Sequence, residues 1–414
     1  MPVDPFRLTC KPYRRAARVV LLGLLGSLAA PAEWPQFRGP SGQGQSSAKG
    51  LPLTWSESEK VAWKTAIPGE GWSSPVISDG QIWLTTATER GTSLRAIALD
   101  QETGRILHDV EVFRVTGPPA IHEKNSYASP TPILEPGRVY VHFGTLGTAA
   151  LNRSGEILWK TQQLRYAHGH GGGGSPALAG DLLVISCDGT DQQYVVALDK
   201  NTGVIRWKTA RQGGAMAYTT PLVIPRGKGR QVVSPGGNHA VSYDLESGKE
   251  LWSVDYDGFS GVPRPVFAHG LVYITTGFYS PVLMAIRTEG NGNVTKTQVA
   301  WQWGRGVPLT PSPVVESGEI YLVSDNGIAS CLDAKSGQEL WRQRLGGTFS
   351  ASPVSAEGRI YFLSEGGEAT VIQAGRRFER LAVNRLDGRT LASPAIEGQA
   401  MYLRTDSHLY RIEE

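Results

Sequence analysis

A chain of 414 residues with 40% hydrophobic and 19% charged side chains can bury a large core, and its 50 glycines and 26 prolines favour many short strands and turns. The formal charge of +3 comes from the N-terminus: residues 1–32 hold five basic side chains against Asp4 alone, and taking these from totals of 41 and 38 leaves 36 against 37. A near-neutral body lacks the basic footprint of a nucleic-acid binder.

The first predicted element is a secretory signal over residues 1–32. A basic stretch from Lys11 to Arg18 precedes an apolar run from Val19 to Ala30, and Ala30-Pro31-Ala32 supplies small residues before a cut at Glu33. The apolar run falls short of the ~20 residues that span a bilayer. No later segment is apolar enough to span, so no transmembrane segment is expected after cleavage. Residues 33–60 are rich in Gly, Ser and Pro and carry no strand pattern. They are expected to form an extended leader on the surface, anchored by Trp34 and Phe37. Cleavage removes Cys10, and Cys187 and Cys331 sit in apolar, strand-like segments of distant repeats. Two buried thiols are expected, and neither cysteine has the spacing of a metal site.

From residue 61 onward one unit recurs. Its landmark is a small-residue or Thr cluster ending in Pro, at Pro75, Pro132, Pro176, Pro221, Pro265, Pro313, Pro353 and Pro394. A turn glycine and an alternating apolar stretch follow, as in Gly137-Arg-Val-Tyr-Val and Gly318-Glu-Ile-Tyr-Leu, and such runs read as strands. A third strand, a tight turn and a fourth strand complete the unit, best seen at Ala197-Leu-Asp-Lys-Asn-Thr-Gly203-Val-Ile-Arg-Trp207. A Trp stands four residues beyond the turn glycine at Trp159, Trp207, Trp252 and Trp341, where a large ring packs adjacent units together.

Four short antiparallel strands per unit with no helices between them make a propeller blade. The last unit has room for only three strands after Pro394. Trp63-Lys-Thr-Ala66 repeats Trp207-Lys-Thr-Ala210 residue for residue. Residues 61–67 are therefore expected to complete the last blade, and closure removes the open edge. The prediction is an all-β, eight-bladed β-propeller of four-stranded antiparallel blades over residues 61–414, its ring closed by an N-terminal strand, and a monomer.

The units resemble the PQQ-like β-propeller repeat, whose pattern Ala-x-Asp-x-x-Thr-Gly-x-x-x-Trp is whole at residues 197–207 and weaker at residues 98–108, 243–252 and 332–341. The openings Trp34-Pro-Gln-Phe-Arg-Gly-Pro40 and Asn125-Ser-Tyr-Ala-Ser-Pro130 look like a branch of secreted PQQ-like propellers. Two units depart from the pattern: the first has His108 in place of the Trp, and the one ending near Arg380 has lost both turn and Trp.

In such a fold the loop before each innermost strand rims the central channel. Aromatic and polar groups converging there are the expected binding site, and the residues chosen are Trp72, Tyr127, His168, His170, Tyr218 and Phe349. The run His168-Gly-His-Gly-Gly-Gly-Gly-Ser175 admits three readings: an anion-binding concavity of free amides, a metal pair with His122, or an exposed flexible loop. The long connection from Phe113 to Tyr127 is a candidate lid or partner-contact loop.

The resemblance implies, as its sharp form, a dehydrogenase of alcohols or sugars with PQQ and a Ca²⁺ ion in the channel. The chain has no adjacent cysteines of the kind that cover PQQ in such enzymes, and its channel loops hold few carboxylates. The expectation is instead a non-catalytic propeller without a cofactor, periplasmic or secreted, offering its channel mouth to a protein or glycan. The other alternative is an outer-membrane protein assembly role, by similarity to the propeller lipoprotein of the β-barrel assembly machine.

Overall fold

In the computed structural model, which describes residues 33–414, each landmark proline opens a short inner strand. The expected signal sequence lies outside the described residues. A proline disfavours helical geometry in the residue before it, so the chain runs extended from the channel loop into strands such as Val76–Ser78 and Ala177–Ala179. The second strands, Arg138–His142 and Glu319–Val323 among them, are buried along nearly their whole length because both faces meet neighbouring blades. The outermost strands alternate between covered and exposed positions, as in Ile205–Ala210.

Eight sheets result; seven have four antiparallel strands each, and the remaining one gains a fifth strand paired in parallel. The seven strand sets between residues 76 and 385 are each contiguous in sequence apart from one insertion. The last blade takes Ala395–Glu397, Ala400–Arg404 and His408–Ile412 from the C-terminal side of the described chain and Val61–Ala66 from its N-terminal side. Thr65 faces Leu409 and Lys64 faces Tyr410 in that pairing. The closing strand is thus where the sequence placed it.

Indole rings join the blades. Trp207 Nε1 donates to the Leu245 carbonyl of the next blade at 2.9 Å, and Trp63, Trp159 and Trp341 make the same bond to Gln101, Lys200 and Gly375. Each ring lies against the neighbour's turn. Gly203 has φ +72°, and a Cβ there would stand 2.5 Å from the Trp159 ring, so only glycine satisfies both the turn and the contact. In the first blade His108 stacks on Trp83 with centroids 6.2 Å apart. The blade that lost its turn brings Phe378 edge-on to Trp341 at 5.2 Å.

Two features differ from a strict repeat. The chain between Leu283–Arg287 and Val299–Trp303 departs from the tight turn, and its Gly292–Asn293 pairs in parallel with the outer strand Glu250–Asp255 of the preceding blade. That sheet therefore has five strands. The second difference is the leader, which does not merely lie on the surface. Trp34 bridges to Ile77 of the first blade, and the Leu134 amide of the second blade donates to the Pro35 carbonyl. Arg38 then donates to the Pro313 carbonyl of the sixth blade, and Gln45 to that of Val315. Farther on, Trp55 N donates to Asn384 in the seventh. The segment crosses from one side of the ring to the other and blocks the axis.

Candidate functional site

Above that crossing segment lies a cavity of about 390 Å³, lined by residues from all eight blades and floored by Phe37. Its lower wall is a ring formed by the residues that precede the landmark prolines: Ser74, Thr131, Ser175, Thr220, Arg264, Ser312, Ser352 and Ser393. Each hydroxyl accepts the amide N–H of the equivalent residue in the preceding blade. The bonds run Ser74 to Thr131, Thr131 to Ser175 and Ser175 to Thr220, then Arg264 to Ser312, Ser312 to Ser352, Ser352 to Ser393 and Ser393 back to Ser74, all at 2.9–3.1 Å. The step from Thr220 to residue 264 lacks the bond because arginine offers no hydroxyl. The Arg264 side chain instead passes under the floor, where Nη1 donates to the Phe37 carbonyl at 2.7 Å.

The upper wall is aromatic. Trp72 lines the cavity with the Arg389 guanidinium 5.7 Å from its ring centroid. His170 stacks on Tyr218 at 5.9 Å, and the Tyr218 hydroxyl accepts the His170 amide N–H. Burial pushes that phenol up to about 12, so it stays protonated. Phe259, Phe278 and Tyr279 form the wall of the fifth blade. Tyr279 is 85% exposed and Phe278 40%, the most accessible aromatic pair of the described residues.

The long loop after Phe113 reaches across the mouth. Asn125 Nδ2 donates to the His170 carbonyl at 2.7 Å, and Lys124 pairs with Glu365 of the seventh blade at 3.0 Å. Burial pushes the Glu365 carboxyl up, but bonds from Ser350 and Lys124 hold it below its ordinary value.

Of the six residues chosen from sequence, Trp72, His170 and Tyr218 line the cavity. The other three do not. Tyr127 donates to the Pro119 carbonyl and packs its ring over Gly91, bracing the long loop from outside. His168 is buried edge-on to Tyr166, and Phe349 is a core ring in a cluster with Val314 and Phe362. The glycine run is a packing device rather than an exposed loop. A Cβ at Gly173 would meet Tyr218 Cβ at 2.9 Å, and one at Gly174 would meet the Thr219 carbonyl at 2.7 Å. His122 and His170 approach to 5.4 Å, and no third His, Cys, Asp or Glu joins them among the described residues. Cys187 and Cys331 are buried free thiols. Sequence reasoning missed Phe37 as the floor, Phe278 and Tyr279 as rim, and Lys124–Glu365 as a bridge.

The family model described as "Outer membrane protein assembly factor BamB", built on PQQ-type repeats, matches residues 46–165, 144–300 and 293–412. The chain belongs to the PQQ-like propeller family. It is similar to the tetrathionate hydrolase of Acidithiobacillus ferrooxidans, 22% identical over 300 residues, which cover 67% of this chain and 56% of that protein. It is also similar to the outer membrane protein assembly factor BamB of Alteromonas naphthalenivorans, 29% identical over 177 residues, 41% of this chain and 40% of that protein. The chain therefore spans about half the length of these curated relatives. A solved europium-containing methanol dehydrogenase shares the fold with a TM-score of 0.68 at 12% identity, over 91% of this chain and 90% of that one.

PQQ-like propellers that are dehydrogenases need a metal beside the quinone. Calcium takes six to eight oxygen ligands, usually with carboxylates. Among the described residues the cavity lining offers hydroxyls and one amide side chain, Asn125, but no Asp or Glu. The Asn125 Oδ1 is already taken by Ser126 N and Ser129 Oγ. These residues do not fit the calcium-quinone pair.

Proposed function

We propose that this PQQ-like propeller is an exported, non-catalytic binding platform that docks a polypeptide partner on the channel mouth. The observation that carries the reading is the rim: aromatic groups from several blades stand round one concavity, Trp72 and Tyr218 on its wall and Tyr279 and Phe278 exposed at it. Aromatic side chains give contact area at low entropic cost and dominate binding hot spots. The family's description as an assembly factor supports a protein partner and a periplasmic or outer-membrane setting. Among the described residues no helix is long and apolar enough to cross a membrane.

Photo-cross-linking in cells tests this. A photoreactive residue at position 279 is expected to capture a discrete protein, while the same probe at Val204, an exposed apolar position on an outer strand, is not. Equal capture at both positions, or a glycan adduct at 279, overturns the reading. The cofactor question has its own assay. Titration with PQQ and Ca²⁺ is expected to give no saturable quenching of tryptophan fluorescence at micromolar quinone, and tight binding with dye-linked alcohol oxidation restores the dehydrogenase.

A further inference from the structure

The hydroxyl ring has more donors than the protein uses. Each of its seven oxygens accepts an amide N–H, which fixes the oxygen in place. Among the described residues none of the seven donates its own proton to another group, and all seven line the cavity. Seven hydroxyls with a proton to give therefore line one cavity in which, among the described residues, no carboxylate stands.

A second observation points the same way. The Arg38 and Arg264 side chains are almost fully buried next to the ring, bonded to the Pro313 and Phe37 carbonyls, and no carboxylate pairs with either among the described residues. Arg38 spends one nitrogen on the Gln43 and Pro313 carbonyls, and its Nε and Nη1 have no partner. Arg264 Nε is likewise unpartnered. The leader is fitted to these groups: Gly42 has φ +69°, and a Cβ there would stand 2.4 Å from Arg264 Nη1. Burial, then the charge of Arg264, lowers Arg38 to about 9, and burial lowers Arg264 to about 10, so both remain cations at neutral pH. Like charges buried together without a counter-charge are unfavourable. The axis thus carries a net positive charge next to a collar of free hydroxyl donors.

We propose that the ring is a binding site for a small oxyanion, of the size and charge of sulfate or phosphate, held by the hydroxyl donors next to the two buried guanidinium groups. An oxyanion supplies several acceptor lone pairs at once, and hydrogen bonds to a charged acceptor are about twice as strong as neutral ones. The adjacent charge selects an anion over a neutral polyol, and the hydroxyls select oxygen acceptors over chloride. This site lies below the rim and does not rest on the docking of a polypeptide there.

The test is calorimetric titration of the whole protein with sodium sulfate and sodium phosphate against sodium chloride at matched ionic strength. Saturable binding of the oxyanions and not of chloride is expected. R264S removes one charge while its hydroxyl offers the Thr220 amide the missing acceptor, so oxyanion affinity should fall about ten-fold or more with the circular dichroism unchanged. R264K should retain most of the affinity. Should R264S fail to fold, the S175A/S352A pair removes two donors away from the arginine and is expected to weaken binding in the same sense. Absence of saturable oxyanion binding by the wild type overturns the proposal, and so does wild-type affinity in a folded R264S or in S175A/S352A.

Discussion

His142 and His168 show how burial at a single side chain governs the pH response. His142 shares its Nδ1 with Thr148 Oγ1 at 2.8 Å, and burial with the nearby His168 lowers it to about 3. His168 is lowered too, by burial. Unfolded histidine titrates near pH ~6.5, so both groups bind protons more readily in the unfolded chain. Their contribution is fully present above that pH and is lost as pH falls through the window toward the folded value. Each unit of acidification below ~6.5 costs up to about 1.4 kcal/mol for a group held neutral. Denaturant midpoints at pH 7.5 and 4.5 should therefore differ less in His142→Asn than in the wild type. An unchanged difference would remove His142 from the acid response. The chemistry of these residues is read easily from sequence, but their placement is not. His168 and His170 are two positions apart and have opposite fates, one in the core and one on the cavity wall, because the chain turns at Gly169–His170 rather than running as a strand, in which positions two apart would share a face.

At the scale of the element, the inter-blade Trp is the part most open to measurement. Trp207 is buried, hydrogen-bonds to Leu245 and stacks on Tyr243 with centroids 6.4 Å apart. Truncation to alanine leaves a cavity and strands the carbonyl it served, at a cost of about 3–5 kcal/mol. Urea unfolding should show that loss, and a loss under ~1 kcal/mol would mean the ring is not a joint between blades. These elements were legible because each is written several times over: a landmark Pro, a turn Gly and a Trp recur at matched offsets. The ring hydroxyls were half legible. Every landmark proline was found, and the Ser or Thr before it was on view, but only the closed circle gives those residues a common partner. The Arg in the fifth unit is the one break in that pattern, and it was the signal available for the floor. Phe278, Tyr279 and the Lys124–Glu365 bridge occur once each and join parts distant in sequence, so no repetition announced them.

For the molecule as a whole, two parts of the N-terminal stretch of the described chain do different work. Residues 33–50 seal the axis, with Trp34 and Arg38 buried, whereas residues 61–66 complete the sheet. Deletion of residues 33–67 should expose the edge of His408–Ile412 and cause aggregation, detectable by light scattering. Deletion of residues 33–50 alone should leave a monomer that opens the floor and unfolds at lower denaturant. A stable, cooperatively folding monomer without residues 33–67 would contradict the role of the closing strand.

That strand also sets a timetable. Val61–Ala66 is made before every other blade strand described and its partner His408–Ile412 after all of them, and at common synthesis rates the interval is on the order of tens of seconds. Throughout it Trp63 and its neighbours have no sheet to join. Seven blades can form from contiguous strands, but the circle cannot lock until His408–Ile412 is present. A chain broken off early is therefore left with a permanently unmatched strand and an unsealed circle, a lasting mark by which proteases can tell an unfinished copy from a finished one.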